Sequence, residues 1–71
     1  MRIKNYRTDF NLEIASTVTE LETGEKEYIR LMLDVNNGKH TFVILDGPGD
    51  VILRNTSFKV VSTKFWDMEI K

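Results

Sequence analysis

Residues 27–46 read EYIRLMLDVNNGKHTFVILD, and their reading decides the fold. Two alternating apolar runs flank Asn37 and Gly38. Asn-Gly between such runs is the strongest short-range hairpin signal, because a type I′ turn needs positive φ at both central residues. With those two residues at the turn, Val35 faces His40, Leu33 faces Phe42 and Leu31 faces Ile44. Directly opposed side chains share a face of the sheet. One face then carries Ile29, Leu31, Leu33, Val35, Phe42 and Ile44, and is expected to be core. The other carries Tyr28, Arg30, Met32, Asp34, Thr41, Val43 and Leu45. That second face is mixed, which points to partial cover or to a contact surface. A slip of one residue would exchange the two faces.

Two strands need further strands, and the composition supplies them. Val and Ile together number twelve and Thr seven, against one alanine and no glutamine. β-Branched residues dominate and good helix formers are scarce. At 71 residues the chain is expected to form a single β domain over 1–71. Without cysteine it has neither a disulfide framework nor a thiolate metal site. No apolar run approaches a membrane span, and no apolar stretch follows Met1 to Lys4, so the expectation is a soluble cytoplasmic protein. The net charge of -1 favours neither nucleic acid nor an acidic ligand. The charges are unevenly spread, with Arg2, Lys4 and Arg7 near one end and Glu20, Glu22, Glu25 and Glu27 around one loop.

Working outward from the hairpin, Phe10, Leu12, Ile14 and Val18 fall on even positions. That is the period of a strand with one wet face. Glu22-Thr23-Gly24-Glu25 reads as a turn with Gly24 at positive φ, joining this strand to one that begins near Lys26. Ile3 and Tyr6 could begin a strand or pack as an arm. Beyond the hairpin, Pro48-Gly49 suits the centre of a type II turn and so a wide loop or corner. Val51-Ile52-Leu53 reads as a strand buried on both faces or bent at a corner. Residues 58–70 fit two patterns. Alternation places Phe58, Val60, Trp66, Met68 and Ile70 together, whereas helical spacing aligns Phe58, Val61, Phe65 and Met68. The Val-Val-Ser-Thr run and the lack of alanine favour a strand. The expected fold is thus all-β, with about five antiparallel strands in meander order, as a curled sheet or a small SH3-like or OB-like barrel.

Enzyme chemistry finds little foothold. His40 is the only histidine, and it sits beside the hairpin turn. Ser16, Ser57 and Ser62 lack the context of a nucleophile elbow. Asp46 and Asp50 flank Gly-Pro-Gly but lack the dense alternate oxygens of a calcium loop. No catalytic residue, metal ligand, cofactor or small-molecule substrate is expected. Aromatic and basic residues are the better lead, since Trp, Tyr and Arg dominate protein hot spots. The expected function is a non-enzymatic module that binds a protein partner or itself through Tyr28, Arg30, Met32, Val43, Leu45 and Trp66. The alternative is sequence-tolerant binding of single-stranded nucleic acid along Arg2, Lys4, Arg7, Arg30, Lys59 and Lys64.

Overall fold

The computed structural model describes residues 10–70. Four strands follow one another, β1 (Phe10–Glu20), β2 (Lys26–Asn36), β3 (Lys39–Leu45) and β4 (Val51–Asn55), and one helix, α1 (Phe58–Asp67), comes after them. The strands form an antiparallel meander in the order β1-β2-β3-β4. Ile3, Tyr6, Arg2, Lys4 and Arg7 lie outside the described residues. The sheet is open and curled, so among the described residues β1 and β4 are its edges.

The central hairpin has the expected register. Val35 pairs with His40, Leu33 with Phe42 and Leu31 with Ile44. Asn37 and Gly38 both have positive φ, at 54° and 73°. The two outer hairpins share a different closure. Gly24 N–H donates to the Leu21 carbonyl and Leu21 N–H to the Glu25 carbonyl, while Gly24 has φ 90°. Gly49 N–H donates to the Asp46 carbonyl and Asp46 N–H to the Asp50 carbonyl, while Gly49 has φ 102°. Both are three-residue loops in which a turn is followed by a glycine at positive φ. The second corrects an expectation. The turn centres on Gly47-Pro48 rather than Pro48-Gly49, and it closes a tight hairpin rather than a wide loop. Asp46 Oδ1 reinforces it by accepting from the Gly49 and Asp50 N–H groups.

Two bulges bend the sheet. β1 carries an extra residue between Glu13 and Ala15, so its simple alternation fails there. Before the bulge Phe10 and Leu12 share the face of Val35 and Leu33; after it Ala15 and Thr17 share the face of Leu31 and Ile29. Val18, expected beside Leu12, pairs instead with Tyr28 on the other face. One inserted residue reverses the facing of all that follow. The second bulge lies at Ile52, between the Leu53 and Val51 pairs. It leaves Val51 and Ile52 exposed on an edge strand, not buried on both faces.

Residues 58–67, expected as a fifth strand, form the helix. Ser57 starts it from an extended conformation, its Oγ accepting the Val60 N–H at 3.3 Å. Val61 and Phe65 are buried, and with Ile29, Leu31 and Ile44 they make the main core. Ala15, Phe42, Leu53 and Met68 pack around it. The apolar face of an open sheet must be covered, and the stripe at 61, 65 and 68 covers it only as a helix. Packing therefore overrides the strand preference of Val60 and Val61. The chain then returns toward β1. Ile70 N–H donates to the Val18 carbonyl at 3.0 Å, and Thr17 Oγ1 donates to Glu69 Oε2 at 3.1 Å. No helix among the described residues is long and apolar enough to cross a membrane.

Candidate functional site

The strand register sets side chains abreast across the sheet. Leu12 pairs with Leu33, and Leu33 with Phe42, giving an apolar row over β1, β2 and β3. Phe10, Val35 and His40 form the next row toward the Asn37-Gly38 turn. Both rows lie on the face that carries α1. The helix packs on β2, β3 and β4 but does not extend over β1, and it begins beside Phe42. The Phe58 ring stands edge-on to Phe42 with centroids 5.1 Å apart, and His40 stands edge-on to Phe42 at 5.8 Å. What remains past the helix start is an apolar shelf. Phe10 is 54% exposed, Leu12 53% and Phe58 46%, while Leu33, Val35 and Phe42 are half-buried beneath. Single exposed apolar residues are ordinary, but contiguous ones mark contact sites.

On the opposite face, where partial cover or a contact surface is expected, the apolar members are covered. Met32, Val43 and Leu45 form a second buried cluster, with Val43 wholly inaccessible. They are not surface that a partner would meet. Tyr28 is exposed and Arg30 half-buried on that face. Trp66 is exposed on α1, on the other side of the sheet, with its ring edge-on to the buried Phe65. The six residues expected to form one contact surface are therefore divided between two sides and a core. The helix separates Trp66 from the others, since in a strand it would have stayed in the sheet.

One feature of this face is not legible in the sequence. Asp34 is 1% exposed, and its Oδ2 accepts from Arg54 Nη1 at 3.2 Å. The same Nη1 donates to Thr41 Oγ1 at 3.1 Å. Asp34 belongs to β2 and Arg54 to β4, so the arginine stem crosses β3 to reach it. Asp34 Oδ1 is buried without a hydrogen-bond partner. A buried carboxylate held by one arginine anchors β4 to the sheet and ties the edge strand to the centre. The only signal in the sequence is an acidic residue two along from Met32 on the same face and opposite Thr41, which also fits a solvated strand.

The described cations do not converge. Arg30 is on the face away from α1, while Lys59 and Lys64 are five residues apart on the helix, about 140° around its axis. Arg54 is engaged with Asp34. His40 packs against Phe42 at the hairpin rim, and Asp46 Oδ1 is held by its own loop. Compared with protein-family models, curated proteins and solved structures, the chain matches none of them.

Proposed function

We propose that this protein is a non-enzymatic interaction module, and that it binds a protein surface, another protein or a second copy of itself, through the apolar shelf of Phe10, Leu12 and Phe58. The observation that supports this reading is the shelf's position. The helix that covers the rest of that face begins beside Phe42 and does not extend over β1, so Phe10, Leu12 and Phe58, around the Leu33–Phe42 row, are left about half exposed. Burying the exposed half of each would contribute on the order of 1 kcal/mol, so the group supplies a few kcal/mol before any polar contact. Half-buried Leu33, Val35 and Phe42 form a floor already fixed by the sheet, which lowers the ordering cost of binding. Tyr28 and Trp66 are exposed elsewhere and are not needed for it.

The test is site-specific photo-crosslinking in cells that produce the protein. A photoreactive phenylalanine analogue at position 58 or 12 is expected to give a discrete protein adduct. The same analogue at position 64, exposed on the helix away from the shelf, is expected to give none. No adduct at 12 or 58, or equal adducts at all three positions, would defeat the reading.

A further inference from the structure

The shelf is continuous with the one stretch of sheet edge that nothing in the described fold protects. β4, at one edge, is five residues long, bulged, and carries Arg54, all of which discourage pairing with another chain. The C-terminal half of β1 is occupied by the returning chain through Ile70 and Glu69. The N-terminal half of β1, up to the bulge, has neither proline nor lysine, and Glu13 is its only charge.

Which groups face outward there follows from the ladder. Backbone N–H and C=O groups of an antiparallel strand point alternately to its two sides. The Val18 carbonyl, which accepts from Ile70, points out, and Val18 pairs with Tyr28. β2 is unbroken, so Leu33 turns its polar groups toward β1, and its partner Leu12 turns its own inward. Asn11 and Glu13 therefore present theirs outward.

We propose that a second copy of this chain pairs antiparallel with this edge, β1 to β1, on a two-fold axis at Leu12. This rests on the shelf being a contact surface, and it names the partner. The sequence here, Phe-Asn-Leu-Glu-Ile over residues 10–14, is apolar and polar in mirror order about Leu12. A two-fold interface requires such self-complementarity. With the axis at Leu12, each Asn11 exchanges both backbone hydrogen bonds with Glu13 of the other copy, and no two carboxylates face each other. An axis at Glu13 would instead set the two glutamates opposite one another. The Leu12 side chains of the two copies become a close, non-hydrogen-bonded pair on the helix-bearing face. The Leu33–Leu12 rows of both copies then join into one apolar floor, and the four-stranded sheet doubles.

The test is solution mass by sedimentation equilibrium from micromolar to millimolar protein. The expected result is a rise from 8.3 kDa toward twice that value. Asn11→Glu puts two carboxylates opposite each other twice, and should weaken the dimer about tenfold. Adding Glu13→Lys to that variant makes both pairs opposite in charge and should restore it. Asn11→Pro removes an outward N–H that β2 does not use, so the dimer should be lost while the circular dichroism of the monomer is kept. A monomer at every concentration overturns the inference, as does a dimer indifferent to all three variants. A monomer whose shelf still crosslinks to another protein defeats the self-pairing alone; no dimer and no crosslink defeat both readings.

Discussion

Asp34 is buried with one oxygen on Arg54 and the other unpartnered, so its only strong contact comes from a side chain two strands away. Arg54→Ala removes that contact and leaves the carboxylate buried without a donor. The expected cost is about 1–3 kcal/mol in urea unfolding. Replacing both partners with apolar residues of similar length, Asp34→Leu with Arg54→Met, should recover most of it. Equal stability of Arg54→Ala and the parent would show that the pair holds nothing. At this scale the sequence was partly legible. Gly24 and Gly49 were read as positive-φ residues and Asn37-Gly38 as the hairpin turn, because backbone sterics act locally. The Asp34–Arg54 pair was not legible, since twenty residues separate its members and only the strand register brings them near.

Among the elements, α1 departs most from its local preferences. Ser57 supplies the first turn with a side-chain acceptor that the β-rich sequence after it would not otherwise have. Ser57→Ala should lower stability by about 1 kcal/mol, read as a shift of the thermal midpoint. Ser57→Asp should keep most of the parental value, because aspartate caps equally well; a similar loss in both variants would argue against capping. The strands were more legible than the helix. Alternation and turn residues placed β2 and β3 with their register, whereas β1 misled after Glu13. A bulge leaves no composition signature here, and the alternation it interrupts continues as though unbroken through Val18.

For the whole molecule, stability depends on one helix lying over one half of one sheet face. A chain of 71 residues has roughly 4–10 kcal/mol in hand. Phe65 is fully buried against the sheet, and Phe65→Ala should cost about 3–5 kcal/mol. That is enough to leave much of the protein unfolded at physiological temperature, as far-UV circular dichroism would show. Trp66→Ala, at the neighbouring exposed position, should cost far less. If both cost the same, the helix is not seated by residue 65. The partial cover also explains the shelf: the ten-residue helix begins beside Phe42 and packs on β2, β3 and β4, so it does not lie over Phe10 and Leu12 on β1.

Local chemistry alone determined the central hairpin, its register, the meander and the Ile29/Leu31/Ile44 face, because turn sterics and strand alternation are written in neighbouring residues. Tertiary structure decided the rest. The stretch after Ser57 satisfied both a strand and a helix pattern, and the choice fell to whichever covered the open face. That choice moved Trp66 across the sheet from Tyr28. Together with the bulge in β1, it left Phe10 and Leu12 on the helix side but outside the reach of α1. Burial on the opposite face removed Met32, Val43 and Leu45 from the surface. None of these outcomes is set by a residue's own neighbours, since each depends on what another part of the chain covers.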